Sequence, residues 1–156
     1  MGESARILVV DDDENIRKVL TTILEDEGYA VEQAETGQKA IEMAKRKVYN
    51  LALIDIRLPD MEGIELLTKV RDTTPKMRKI IITGYPTLQN AIEAVNRGAD
   101  VYIMKPFDMD KVLITIKEQL RKQKEEQKYS QEKVAEFIET RVRELEVEKE
   151  VSRRKP

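Results

Sequence analysis

Ile7-Leu8-Val9-Val10-Asp11-Asp12-Asp13 is the stretch on which the reading of this chain turns. Four β-branched or aliphatic residues without a polar break suit a parallel strand covered on both faces, since a strand with one wet face alternates instead. Working outward, comparable short apolar runs recur at Tyr29 to Val31, Leu51 to Ile54, Ile80 to Ile82 and Val101 to Met104. Segments with helical spacing lie between them. Ile16, Leu20, Ile23 and Leu24 share one helical face, with Asp13 placed to cap the helix and Gly28 to end it. Thr36 opens a second helix carrying Ala40, Ile41 and Ala44; Ile64, Leu67 and Val70 mark a third after Pro59 and Gly63. Ala91, Ile92 and Val95 mark a fourth, stopped at Gly98, and a fifth begins near Asp108 with Val112, Leu113 and Ile116. Strict alternation of strand and helix implies right-handed crossovers, hence an α/β fold with a doubly wound, five-stranded parallel sheet over residues 5–118.

Composition narrows the chemistry. With 156 residues there is room for one core and an appendage. There is no Cys and no His, which removes disulfides, thiolate catalysis, zinc-thiolate sites and any histidine-centred phosphotransfer within the chain itself. Lys and Arg number 28 against 30 Asp and Glu, a balance that recommends neither nucleic acid nor membrane as a partner. No apolar run approaches the roughly 20 residues that span a bilayer. The first residues lack a signal-peptide core, and Gly2 is followed by Arg6 where a myristoylation signal wants Ser or Thr. The expectation is a soluble, cytoplasmic protein.

In an open α/β sheet the working site lies outside the carboxyl ends of the strands. Here the first strand runs into Asp11, Asp12 and Asp13, the third ends in Asp55, the fourth in Thr83, and the fifth runs into Lys105. Three or four carboxylates, a hydroxyl and an amine would meet there. Carboxylates so crowded repel one another, and a hard divalent cation with oxygen ligands relieves that repulsion. Magnesium fits best, because it takes one or two carboxylates plus a phosphate oxygen and leaves another carboxylate free as nucleophile. Each residue also has a bland reading. The Asp11 to Asp13 run could be a helix cap with first-turn acids, and Tyr102 could be a core residue.

Taken together, Ile7-Leu8-Val9-Val10-Asp11-Asp12, Asp55-Ile56-Arg57-Leu58-Pro59-Asp60-Met61-Glu62-Gly63, Ile82-Thr83-Gly84 and Lys105-Pro106-Phe107 resemble, in order, the signatures of response-regulator receiver domains of two-component signalling. The resemblance implies a flavodoxin-like receiver fold with Asp55 as phosphoacceptor, served by a sensor histidine kinase or phosphotransfer protein. It implies Asp11, Asp12, Asp55 and the backbone carbonyl of Arg57 as ligands of Mg2+, and Thr83 and Lys105 as phosphoryl contacts. It makes Thr83 and Tyr102 the switch pair and the Lys105-Pro106 bond cis. Arg57 and Tyr85 occupy the two positions that vary among relatives; both are large, and the expectation is that they crowd the path of an attacking water.

Composition changes after Ile116. The following residues hold 12 basic and 10 acidic side chains, no Gly, and Pro only at position 156. Residues 119–156 are expected to form one long helix or two, as a helical or coiled-coil extension or linker. Leu113, Ile116 and Leu120 start a 3-4 spacing that Gln123, Gln127 and Ser130 interrupt before Val134, Ile138, Arg141 and Leu145 resume it. The chain thus reads as a phosphorylation-controlled interaction module rather than an enzyme. Its downstream partner is open, with a homodimer through the fourth-helix to fifth-helix face or the C-terminal helix among the choices. Other readings are a receiver cut from a longer transcriptional or enzymatic regulator, a degenerate receiver acting as a dimerising scaffold, and a hydrolase using the same acidic cleft. The last would need an acid-base residue beside the nucleophile, for which Lys105 with Tyr102 is a poor candidate.

Overall fold

Each apolar run becomes a strand, and the pattern of alternate residues explains how the sheet is covered. The computed structural model describes residues 4–154; the readings of Gly2 and of the terminus at Pro156 fall outside them. Five strands, β1 (Arg6–Val10), β2 (Ala30–Ala34), β3 (Leu51–Asp55), β4 (Arg78–Thr83) and β5 (Val101–Met104), form one parallel sheet in the order β2-β1-β3-β4-β5. The chain reverses direction across the sheet after β2, so the carboxyl ends of β1 and β3 become neighbours, with Ile7 to Val10 paired against Leu51 to Ile54.

Ile7 and Val9 point to one face of the sheet and Leu8 and Val10 to the other. The first face is packed by Leu20 and Leu24 of α1 (Glu14–Asp26) and by Val112, Ile116 and Leu120 of α5 (Met109–Arg154). The second is packed by Ala40, Ile41 and Ala44 of α2 (Gly37–Arg46), by Ile64, Leu66 and Leu67 of α3 (Gly63–Lys69), and by Ala94 of α4 (Leu88–Asn96). Two apolar layers account for the absence of polar breaks in the central strands. Each fully buried Leu or Ile contributes about 1.5–3 kcal/mol of transfer free energy to holding them.

Local chemistry sets the element ends. Asp13 Oδ1 accepts from the amides of Asn15 at 2.9 Å and Ile16 at 3.3 Å, capping α1 as expected. Thr36 Oγ1 caps α2 through the Lys39 amide, and Thr87 Oγ1 caps α4 through the Asn90 amide. Gly28 and Gly98 sit at φ of 95° and 101° after α1 and α4, a left-handed conformation that suits glycine at a helix end. Three expectations shift in detail. The second strand begins at Ala30 rather than Tyr29 and runs on to Ala34. Val70 lies just past α3, where it is buried without being helical. In α4 the core residue is Ala94, whereas Ile92 and Val95 are 53% and 65% exposed, so the apolar residues that mark this helix face outward.

The chain divides into two compact units, residues 1–120 and 121–156. In the second, the helix that begins at Met109 continues to Arg154, one helix rather than two. Among the described residues no helix is long and apolar enough to cross a membrane.

Candidate functional site

The carboxyl edge of the sheet gathers the residues singled out above. Asp11 follows β1 and is 4% exposed; Asp55 ends β3 at 9% exposure; Asp12 is exposed. Oxygen atoms of these three carboxylates lie within 4.8 Å of one another. The Lys105 ammonium, delivered by the loop after β5, donates to Asp55 Oδ2 at 3.1 Å and to Asp11 Oδ2 at 3.3 Å. Asp13 is not a member. Its carboxylate turns to the start of α1, so the acidic run divides between two jobs, Asp11 and Asp12 in the cluster and Asp13 at the cap.

Backbone amides hold the other oxygen of each carboxylate that Lys105 bridges, and the Thr83 hydroxyl. The Asp13 amide donates to Asp11 Oδ1 at 2.9 Å, the Arg57 amide to Asp55 Oδ1 at 3.1 Å, and the Tyr85 amide to Thr83 Oγ1 at 2.9 Å. Arg17 donates to the backbone carbonyl of Asp11 at 2.6 Å, tying α1 to the end of β1. Burial raises the Asp11 carboxyl above its ordinary range. The Asp13 amide opposes that, nearby Asp55 adds to it, and Lys105 offsets part of it. Burial by itself would lower Lys105, but its bonds and attraction to Asp55 and Asp11 outweigh desolvation and hold the ammonium above its ordinary range. The cluster therefore keeps a fixed positive charge beside two poorly solvated acids.

Thr83 is fully buried at the end of β4, and its carbonyl accepts from the Lys105 amide at 2.6 Å. The Lys105-Pro106 bond is cis, as the resemblance implied; so is Thr74-Pro75, which nothing in the sequence reading singled out. Tyr102 packs against the second-face core, and its hydroxyl is buried without a hydrogen-bond partner. Beside it, Tyr102, Met104, Pro106, Phe107, Lys111 and Thr115 border an open hollow of about 650 Å³ on the β5–α5 face. Arg57 and Tyr85 are in contact, with the guanidinium carbon 3.6 Å from the ring centroid, and both line a hollow of about 120 Å³ with Glu62, Thr87 and Asn90.

Two contributors escaped the sequence reading. Gly63 stands in a quoted signature and ahead of the third helix with no role of its own, yet a β-carbon there would run into the carbonyl oxygen of Asp55, so the loop after Asp55 closes only over glycine. Asp60 bonds the Gly37 and Gln38 amides at 2.9 Å each, pinning the same loop to the start of α2. Nothing in the sequence connects it with a helix that starts more than 20 residues earlier.

Sheet order, two-sided helical cover and an acidic cluster at the carboxyl edge define a doubly wound α/β module with a charge-dense site. The chain belongs to the response regulator receiver domain family, whose model matches residues 7–117. It is 40% identical over 119 residues to the transcriptional regulatory protein ZraR of Klebsiella oxytoca, covering 76% of this chain and 27% of that protein. It is 39% identical over 121 residues to the transcriptional regulatory protein SrrA of Staphylococcus aureus, covering 76% of this chain and 49% of that one. The chain thus spans half or less of the length of these curated relatives. Among solved structures it resembles a CheY-like response regulator receiver domain protein from Methanospirillum hungatei JF-1, with a TM-score of 0.76 and 48% identity over 80% of this chain and 99% of that one. Receiver domains are phosphoacceptor signalling modules of two-component systems, phosphorylated by histidine kinases or phosphotransfer proteins, and they bind magnesium at an acidic site.

Proposed function

We propose that Asp55 accepts a phosphoryl group from a sensor histidine kinase or phosphotransfer protein, and that the modified domain signals by a changed protein-interaction surface. The observation that carries this reading is the Lys105 ammonium bridging Asp55 and Asp11, with Asp12 beside them. A carboxylate oxygen of Asp55 attacks phosphorus; the bond from phosphorus to the donor's imidazole nitrogen breaks as the new oxygen–phosphorus bond forms, and the histidine, whose other ring nitrogen carries a proton, leaves neutral. Such a transfer needs positioning and charge stabilisation rather than covalent help from the protein. Lys105 already lies at the acceptor oxygen, and the Thr83 hydroxyl leaves the Tyr85 amide to meet a phosphoryl oxygen. Asp11, Asp12, Asp55 and the Arg57 carbonyl are the groups that would hold magnesium. Their crowded oxygens fit a hard cation, which when bound supplies charge to the phosphoryl oxygens. The domain turns over no substrate beyond its own phosphodonor, and by this reading it is a signalling module rather than an enzyme.

Tyr102 is the natural reporter of Thr83 movement, because its buried hydroxyl has no partner to lose and its ring borders the β5–α5 hollow. Exposed Leu88, Ile92 and Val95 on α4 and Met104 on β5 supply apolar area to the surface we assign as output.

Acetyl phosphate with magnesium, read by intact mass, tests the proposal. The expected result is one added phosphoryl group on the wild type, with none on Asp55→Asn or without the metal. An adduct that survives Asp55→Asn, or none from either the small donor or a histidine kinase, would overturn it.

A further inference from the structure

Asp12 is the loose member of the acidic cluster. Asp11 is held at each of its polar atoms. Its amide donates to the Ala34 carbonyl at 3.2 Å, Oδ1 accepts from the Asp13 amide, Oδ2 from Lys105, and its carbonyl from Arg17. Asp12 is exposed, and among the described residues no hydrogen bond or ion pair fixes its carboxylate. It also lies past the end of β1, where no sheet ladder sets the backbone. The direction of Asp12 therefore depends on the peptide that joins it to Asp11, and the oxygen of that peptide is the one Arg17 grips at 2.6 Å. Arg17 is itself anchored, because its Nε donates at 3.2 Å to Oε1 of Gln33, the penultimate residue of β2. The one strand whose carboxyl end carries no chemistry thus reaches the site at second hand, through a half-buried guanidinium on α1. A guanidinium suits the task, since its donors point in fixed directions and hold two acceptors at once.

We infer, on the magnesium reading above, that Arg17 is a positioning residue for the metal site, holding the Asp11–Asp12 peptide so that both carboxylates meet the cation in the geometry it requires. Two effects of the side chain oppose each other. As a cation near the cluster Arg17 repels a divalent ion, so loss of its charge would tighten binding. As a brace it orders Asp12, so loss of its bonds would weaken binding. The repulsion is screened by water and salt at exposed Asp12. Magnesium, by contrast, demands near-octahedral oxygen ligands at about 2.0–2.1 Å and tolerates little misplacement, so the brace dominates. Calcium accepts irregular coordination at longer distances, so the same brace matters less to it. Selectivity between the two ions thus separates a brace from a general stiffening of the fold.

Titration of the full chain with magnesium chloride or calcium chloride, followed by the amide resonances of Asp12 and Arg57, tests this role without any phosphoryl donor. Arg17→Met keeps an unbranched apolar stem on α1 and removes the guanidinium. It should raise the half-saturating magnesium concentration at least about fivefold, a fraction of what a hydrogen bond to a charged group is worth, and the calcium value by a smaller factor. Gln33→Ala, which leaves α1 untouched, should weaken magnesium binding less. It should add nothing in the Arg17→Met background, since it acts through Arg17. Magnesium binding unchanged or tightened in either single variant would overturn the inference. So would an equal loss for both ions in Arg17→Met, the mark of a loosened fold. A wild type whose resonances ignore magnesium would overturn the magnesium reading itself, and the role of Arg17 with it.

Discussion

Asp13 and Asp11 show what single residues can and cannot disclose. Three consecutive aspartates after a strand support both a helix cap and an acidic cluster. The fold resolves the choice by using Asp13 for one and Asp11 and Asp12 for the other. Sequence could place all three at the carboxyl edge, but which way each carboxylate turns depends on where α1 starts, to within one residue. The Arg57–Tyr85 pair goes a step further. Both residues were expected to crowd the path of an attacking water, and the structure brings them into contact and hangs them from the amides that bond Asp55 and Thr83. An exposed cation–π contact is worth about 0.5–1 kcal/mol. If the stack screens the aspartyl phosphate from water, Arg57→Ala and Tyr85→Ala should each shorten its half-life by about two- to fivefold. The double variant should be no faster than the faster single, since either truncation already destroys the stack. Loss of phosphate followed by phosphate release would show this, and fully additive effects would mean the two side chains act apart.

At the scale of elements, strands and helices were legible because each carries a period or a cap, whereas the bracing between elements was not. Tyr49 illustrates this. Its ring is buried and its hydroxyl bonds Glu32, which also pairs with Lys47, a contact between β2 and the loop after α2 that no local pattern announces. Asp60 is the brace that bears on the site, because it ties the loop after Asp55 to the start of α2. Two amide bonds, from Gln38 and Gly37, hold its carboxyl below the ordinary value of 3.8. A carboxyl whose folded pKa is depressed contributes stability that is fully present above the unfolded value and fades as pH falls through the folded one. Asp60→Ala should therefore lower the urea midpoint by a constant amount from neutral pH down to about pH 5, and the deficit should shrink below pH 3.8. A deficit that persists unchanged in acid would mean that the side chain acts by packing rather than by charge. Labelling of Asp55 should slow in the same variant, since the loop after it loses an anchor.

Across the whole molecule, the sequence marks a change of composition after Ile116, and the division into units at Leu120 lies close to it. The sequence left one helix or two open, because Gln123, Gln127 and Ser130 interrupt the apolar spacing, whereas α5 runs unbroken from Met109 to Arg154. Among the described residues every buried apolar side chain lies between Ile7 and Leu120. The exposed ion pairs of the extension, such as Arg143–Glu139 and Arg154–Glu150, each contribute only a few tenths of a kcal/mol. A chain ended after Leu120 should consequently keep its core. Its thermal midpoint should lie within about 4 °C of that of the full chain, the shift that about 1 kcal/mol produces at this size. It should accept phosphate from acetyl phosphate at an unchanged rate. Calorimetry of the two chains at matched dilute concentration checks this. A truncated chain that melts far lower under those conditions would show that the extension stabilises the receiver directly, and the two units would then have to be treated as one folding body.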